Sequence, residues 1–112
     1  MIDKIREALE YGHGTHTVQD LMTEVEQGHA RAWVEQDNVI IARIEEYPQK
    51  RILCFWLAAG ELEPLLEMAK EVYEWGREEG CDMARMIGRR GWKKPLQEHG
   101  WGVSLVEYTK EL

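Results

Sequence analysis

A cluster of cationic side chains is the most conspicuous chemical feature of the sequence. The stretch GRRGWKKPLQEHGW, residues 88–101, holds four basic residues, two tryptophans and three glycines. Cationic side chains bind phosphates or acidic protein surfaces, and this cluster lies in a protein of net charge −7. A broad positive face, which nucleic-acid binding usually needs, is not expected at that charge. We therefore predict a partner-binding surface for an acidic protein, formed by Arg85, Arg89, Arg90, Lys93 and Lys94.

The other polar residues lack the additional ligands or catalytic motif residues that metal binding or catalysis requires. His13 and His16 share a glycine-containing loop, but a metal site needs three or four convergent ligands, and no cysteine or third histidine accompanies them. Ser104 is the only serine and has no Gly-x-Ser-x-Gly context. Glu45 and Glu46 lie beside a turn, where surface carboxylates are expected. The sequence predicts neither a catalytic residue nor a metal site.

Length and composition limit the architecture to one domain. A chain of 112 residues forms one core, so residues 1–112 are predicted to be a single domain. No apolar run approaches the length of a membrane span, roughly 20 residues, and the first residues do not resemble a signal peptide. Cys54 and Cys81 each lie in an apolar stretch and are expected to be buried, reduced thiols.

The first half of the chain predicts two helices and three strands. Apolar residues at helical spacing indicate a helix over residues 2–10 and another over 18–25, the second with Thr17 as its N-cap. Residues 30–35 and 39–45 are rich in Val, Ile and Trp and are separated by Gln36-Asp37-Asn38, which is typical of a hairpin. The apolar run Arg51–Ala58 is expected to be a central strand covered on both faces.

The second half of the chain predicts a long helix, followed by two strands and a short helix. Residues 61–79 carry one apolar and one acidic face, with Pro64 in the first turn. A strand over Met83–Ile87, a short helix over Lys93–His99 and a last strand over Val103–Thr109 follow. The order α-α-β-β-β-α-β-α-β predicts an α/β (α+β) fold. We expect a three-layer sandwich with a mixed sheet and one parallel β-α-β crossover at residues 51–87.

This order resembles the GCN5-related N-acetyltransferase (GNAT) fold, with the first strand of the family missing or vestigial. More narrowly, the sequence resembles small bacteriophage proteins of that fold. The matching pieces are Glu46-Tyr47-Pro48, Ala58-Ala59-Gly60, Gly80-Cys81 and the stretch from Gly88 to Trp101. In that stretch, Trp92 and Trp101 are expected to anchor the short helix to the sheet.

Two positions depart from what the resemblance implies for an enzyme. Acetyltransferases of the fold cradle the coenzyme A pyrophosphate with a glycine-rich turn and the following helix N-terminus. Here that turn is the degenerate loop Ala58, Ala59, Gly60 and Glu61, followed by Glu63 and Pro64. The family often places a proton-donating tyrosine on the short helix, where this sequence has Leu96, with His99 nearby. We therefore predict that no cofactor binds, and that acetyl-CoA is relevant only if the protein is an active enzyme.

The resemblance implies a non-catalytic phage structural or interaction protein. It would be virion-associated, as a capsid, portal, tail or ejected internal protein, and located in the virion or the host cytoplasm. Its partner would be a protein, either a phage structural protein or further copies of itself. Two alternatives stay open: an active acetyl-CoA-dependent N-acetyltransferase, and a nucleic-acid-associated protein that uses the basic stretch 85–94.

Overall fold

Helices cover both faces of a four-stranded sheet in the computed structural model, which describes residues 2–112. The elements are α1 (Ile2–Tyr11), α2 (Val18–Glu26), β1 (Arg31–Glu35), β2 (Asn38–Glu46), β3 (Arg51–Ala59), α3 (Leu62–Glu78), β4 (Met83–Met86) and α4 (Lys93–Gln97), the last preceded by one 3-10 turn over Arg90–Trp92. None of the helices in this part of the chain is long and apolar enough to cross a membrane.

The sheet has the mixed topology that the sequence predicts. Its strand order is β1-β2-β3-β4, with antiparallel pairing from β1 to β3 and parallel pairing between β3 and β4. Helix α3 makes the connection between the two parallel strands, so the predicted crossover is confirmed. The parallel pairing runs only from Ile52↔Met83 to Phe55↔Met86, whereas β3 continues to Ala59. A crevice therefore begins beside the second half of β3.

Two apolar clusters hold the three layers together. The cluster between the sheet and α3 includes Ile40, Ala42, Leu53, Phe55, Leu65, Met68, Ala69 and Val72. The cluster on the other face, under α1 and α2, includes Ile5, Leu9, Leu21, Val39, Ile41 and Leu57. Because helices pack on both faces, the central strands are apolar on both sides, and the three-layer prediction is confirmed.

A β-bulge lets β3 serve both clusters. Phe55 lies opposite Ala42 and Leu57 lies opposite Ile41, so Trp56 is the extra residue. Residues two apart on a regular strand share a face, but the bulge reverses that order. Phe55 accordingly packs in the α3 cluster and Leu57 in the α1–α2 cluster.

A close contact packs α3 against the sheet. A Cβ atom on Gly76 of α3 would lie 2.8 Å from Cδ2 of Leu53, so the absence of a side chain lets α3 approach β3.

Thr17 and Asp20 form a reciprocal capping box at the start of α2. The hydrogen bonds from Thr17 lower the pKa of the Asp20 carboxyl.

The prediction of a last strand over Val103–Thr109 was wrong. Residues 101–112 form no helix or strand, and within residues 2–112 the backbone of 102–112 makes no hydrogen bond. Val103, Leu105, Val106 and Tyr108 are exposed. A strand needs a partner edge, and side-chain propensity cannot supply one. The segment therefore has no strand partner.

Candidate functional site

The crevice between the diverging ends of β3 and β4 is the candidate site. In open sheets with parallel strands, ligands bind outside the carboxyl ends of those strands. Here β4 ends at Met86, while β3 runs on to Ala59 and leads into α3. The crevice is thus bounded by the start of α3 on one side and by the turn and short helix that follow β4 on the other.

The side chain of Asn38 closes the start of α3. Its Oδ1 accepts a hydrogen bond from the backbone N–H of Glu61 at 2.8 Å, and its Nδ2 donates to the Glu35 carbonyl at 3.3 Å. Gly60 has a φ of +134°, and a Cβ there would lie 2.1 Å from Asn38 Oδ1. Asn38 therefore fills the space over Gly60 and uses one of the N-terminal donors of the helix.

The rest of the α3 N-terminus offers few donors and two carboxylates. Pro64 has no N–H, and the Leu65 N–H bonds to the Glu61 carbonyl at 3.1 Å. Only the N–H groups of Leu62 and Glu63 remain. The exposed carboxylates of Glu61 and Glu63 complement the positive end of the helix dipole. Their charge favours the helix and disfavours an anionic ligand at the same place.

Aromatic and apolar side chains of the chain itself fill the crevice. Trp92, Leu96 and Trp101 line it together with Phe55 and Tyr73 of the sheet and α3, leaving a cavity of about 20 Å³. The Trp101 ring packs edge-on against Phe55, with 5.6 Å between centroids. Its Nε1 donates a hydrogen bond to the Tyr73 hydroxyl at 3.0 Å. Such a cavity holds about one water molecule, whereas ligand pockets measure roughly 300–1,000 Å³.

The five predicted partner-binding residues differ in the contacts that their side chains make. Arg85 lies on the α1–α2 side of the sheet, where its Nε donates to Glu45 at 2.9 Å and its Nη2 donates to the Tyr47 hydroxyl at 2.8 Å. The hydrogen bond to Glu45 raises the pKa of Arg85 further. Arg89 stacks over the ring of Tyr11 in α1, with 4.6 Å from Cζ to the centroid. These two side chains have intramolecular roles that the sequence did not indicate.

The other three cations remain available to a partner. Arg90, Lys93 and Lys94 are exposed, and within residues 2–112 their side chains make no hydrogen bond or ion pair. They lie on the 3-10 turn and the first turn of α4. The candidate binding surface therefore narrows to Arg90, Lys93 and Lys94, which we call the α4 cationic surface.

The side chain of Glu45 is less exposed than the sequence predicts. Only 18% of its side chain is accessible, and it pairs with Arg85 and with Arg43, whose Nη2 lies 3.6 Å away. The burial of the neighbouring Cys54 thiol, and to a smaller extent the negative charge of Glu45, raise the pKa of that thiol. Both Cys54 and Cys81 are free thiols. Glu45 is thus a paired carboxylate on the sheet and not a surface residue beside a turn.

The two loop histidines point to separate neighbours. His16 packs edge-on against Trp56 at 4.9 Å, and His13 Nε2 lies 3.6 Å from Glu107 Oε2. In the described part of the chain no three His, Cys, Asp or Glu residues are grouped as a metal would need.

Solved structures show which fold this is. Glucosamine-6-phosphate N-acetyltransferase from Arabidopsis thaliana superposes with a TM-score of 0.69 at 12% identity, covering 97% of this chain and 91% of that one. An acetyltransferase from Trypanosoma brucei gives 0.68 at 8% identity, covering 99% and 92%. An aminoglycoside acetyltransferase from an uncultured soil metagenomic sample, solved with sisomicin, gives 0.64 at 9% identity, covering 98% and 87%.

The fold is that of the GNAT acetyltransferases. The resemblance seen in the sequence is confirmed at the level of architecture. No family model and no curated protein matches the sequence. At 8% to 12% identity the likeness to these structures concerns the fold alone.

Within this GNAT fold, Asn38 and Tyr73 have contacts that local sequence patterns do not indicate. Asn38 belongs to the predicted hairpin turn, and Tyr73 lies within the predicted helix over residues 61–79. Their contacts are with Glu61 and Trp101, at separations of 23 and 28 residues, so no local pattern reveals them. Ala58, near the end of β3, and Leu96, in α4, both line the crevice. His99 instead has its Nδ1 3.0 Å from the Pro95 carbonyl at the end of α4.

Proposed function

We propose that this protein is a non-catalytic, protein-binding module built on the GNAT fold. The observation that carries the proposal is the filled crevice: Trp92, Leu96 and Trp101 occupy the carboxyl ends of β3 and β4 and leave about 20 Å³. A coenzyme or substrate would have to displace these three side chains. Displacing Trp101 would also break its hydrogen bond to Tyr73.

The α3 N-terminus adds a second reason. A pyrophosphate is held by several backbone N–H groups and by the positive end of a helix. In this chain Asn38 already takes the Glu61 N–H, and Pro64 has none to offer. The carboxylates of Glu61 and Glu63 would repel the phosphates. These residues fit coenzyme A poorly, and we derive no catalytic step from them.

The proposed place of action is a bacteriophage particle or the infected host cell. This part of the proposal rests on the sequence resemblance alone, carried by Glu46-Tyr47-Pro48 and by the stretch from Gly88 to Trp101. Mass spectrometry of purified particles tests it. Absence of the protein from particles at every stage of assembly would limit it to the host cytoplasm or argue against a phage role.

A titration with acetyl-CoA tests the non-catalytic assignment. We expect no heat of binding for the full chain at ligand concentrations up to about 1 mM, because the crevice is filled and the loop is acidic. An active acetyltransferase of the same fold, titrated under identical conditions, is the positive control. A one-to-one complex with a micromolar Kd would contradict the proposal and favour the active N-acetyltransferase.

A triple variant tests whether the two carboxylates and the Trp92 ring are what excludes the coenzyme. Glu61→Gln and Glu63→Gln combined with Trp92→Ala removes both carboxylates and one of the blocking rings. If these groups exclude the coenzyme, this variant gains measurable affinity while the wild type has none. A folded variant that still fails to bind would show that some other feature excludes the ligand.

A further inference from the structure

Strand β1 is an open edge of the sheet. Its only neighbour is β2, and it pairs with β2 along its whole length without a bulge. Every side chain of β1 except that of Trp33 is exposed. The strand also contains neither the proline nor the lysine that commonly protects such an edge from pairing. An edge of this kind can accept an added strand, which satisfies the backbone N–H and C=O groups of both.

The hairpin turn determines which backbone groups of β1 face outward. Glu35 and Asn38 flank a two-residue turn, so they form a hydrogen-bonded pair. Hydrogen-bonded and non-hydrogen-bonded pairs alternate along an antiparallel ladder, so every second residue back from Glu35 also directs its backbone groups to β2. The N–H and C=O groups of Ala32 and Val34 therefore point away from β2, toward the free edge.

The α3 face of β1 carries a cation and an anion on either side of a tryptophan. Arg31, Trp33 and Glu35 share this face because alternate residues of a strand do so. Trp33 packs edge-on against Trp75 of α3, with 5.3 Å between centroids. The Arg31 guanidinium lies over both rings, 5.1 Å and 5.8 Å from their centroids. Within residues 2–112 neither this guanidinium nor the Glu35 carboxylate makes an ion pair or a hydrogen bond. Both charges are therefore free to pair with another molecule.

We propose that the β1 strands of two copies of this chain pair antiparallel about a two-fold axis at Trp33, which joins the two sheets into one. In this register Ala32 of each copy lies opposite Val34 of the other, so the outward backbone groups form hydrogen-bonded pairs. Arg31 of each copy lies opposite Glu35 of the other. A register displaced by two residues also matches the outward groups, but it pairs only residues 31–33 or 33–35 of each strand.

A second copy is the occupant because the strand is complementary to itself. Opposite charges directly across an antiparallel pair are stabilising, and the two Trp33 rings meet at a non-hydrogen-bonded position, where side chains approach most closely. On the other face the contact covers Val34, whose surface is 58% exposed. Because both copies use the same patch, the assembly closes as a dimer. The inference is independent of the proposed function, since no residue that fills the crevice takes part.

Molar mass in solution is the first test. One short strand from each copy makes a small interface, so the dimer should dissociate on dilution. Size-exclusion chromatography with light scattering of the full chain, from about 1 to 200 μM, is expected to rise toward twice the 13.1 kDa mass of the chain. A monomer at every concentration overturns the proposal.

A proline in β1 tests whether this edge forms the contact. Val34→Pro removes an N–H that faces outward and keeps the ladder with β2, so it should raise the dimer Kd at least about tenfold. Val34→Thr keeps the N–H and the branched side chain, and this matched control should dimerise as the wild type does. A dimer that a folded Val34→Pro protein forms equally well uses another surface and overturns the proposal.

Reversed charges test the register without any change to the backbone. Arg31→Glu places two carboxylates opposite each other at both ends of the pairing, and Glu35→Arg places two guanidinium groups there. Each variant alone should therefore raise the dimer Kd at least about tenfold. Lys50→Glu changes the net charge as much as Arg31→Glu does, at an exposed position outside β1, and should leave the Kd unchanged.

A mixture of the two charge variants restores opposite charges at both ends. Equimolar Arg31→Glu and Glu35→Arg proteins should form a heterodimer, which native mass spectrometry identifies by its mass, and the double variant should dimerise with itself. Circular dichroism confirms that each protein is folded. Single variants that dimerise as well as the wild type, or a mixture that forms no heterodimer, overturn the proposed pairing.

Discussion

At the scale of single residues, a hydrogen bond decides how Trp101 lies. The ring is half-buried between Phe55 and Tyr73, and its Nε1 donates to the Tyr73 hydroxyl at 3.0 Å. A buried indole N–H without an acceptor is costly, so the phenol makes this position suitable for tryptophan. Trp92, on the same crevice, lacks such a bond within residues 2–112. The two tryptophans thus fill similar space by different means.

Removing either partner of this bond should have a measurable cost. We expect Trp101→Phe and Tyr73→Phe each to lower the free energy of unfolding by about 1 kcal/mol, the usual net value of one hydrogen bond. Because both lose the same bond, the double variant should cost clearly less than the two single costs added. Urea unfolding followed by circular dichroism measures all three. Trp92→Phe is the control for the loss of ring area, and additive costs would show that the bond contributes little.

At the scale of elements, Asn38 links the β1–β2 hairpin to the start of α3. It is buried, with 7% of its surface accessible, and its side chain accepts a hydrogen bond from the backbone N–H of Glu61. Gly60 permits that contact because a larger residue would collide with the amide. The hairpin, the end of β3 and the first turn of α3 are therefore fixed to each other by two residues.

A double-mutant cycle measures this link. Asn38→Ala removes a cap-like hydrogen bond and should cost about 1–2 kcal/mol. Gly60→Ala should cost about 3 kcal/mol, from the positive φ and the collision with Asn38 together. In the Asn38→Ala background the same glycine change should cost less, because the amide is gone.

Gly28 supplies a control with a positive φ but without a collision. Its φ is +79°, and a Cβ there would meet no atom within 4 Å. Gly28→Ala therefore measures the backbone term alone, and thermal or urea unfolding reports it. If Gly60→Ala costs no more than Gly28→Ala, the contact with Asn38 does not hold the junction.

Local patterns predict the elements well and their long-range contacts poorly. The amphipathic period of α3 and the Val- and Ile-rich runs of β2 and β3 predict the correct order of elements up to α4 and the correct sheet, because burial on one or two faces dictates them. Arg85 meets Glu45 across 40 residues, and no spacing encodes that pair. Residues 103–109 have the composition of a strand, but pairing depends on where an edge is free.

At the scale of the whole molecule, the charge is divided unevenly. The protein carries a net charge of −7, yet the three exposed cations Arg90, Lys93 and Lys94 of the α4 cationic surface lie within five consecutive residues. At cellular salt the Debye length is about 8 Å, so this surface acts only at contact. An acidic patch on a partner protein fits such a short range better than long-range capture of DNA.

Reversing two of these charges tests the surface. We expect Lys93→Glu with Lys94→Glu to leave the circular dichroism spectrum unchanged, because neither side chain packs in a core. The partner that wild type captures from infected or co-expressing cells, identified by mass spectrometry, should be lost. Lys4→Glu with Lys50→Glu changes the net charge equally at exposed positions elsewhere and should retain it. Equal recovery of the partner by both variants would show that the α4 cationic surface is not part of the binding site. Binding of duplex DNA by the wild type, but not by the Lys93→Glu, Lys94→Glu variant, would favour the nucleic-acid alternative.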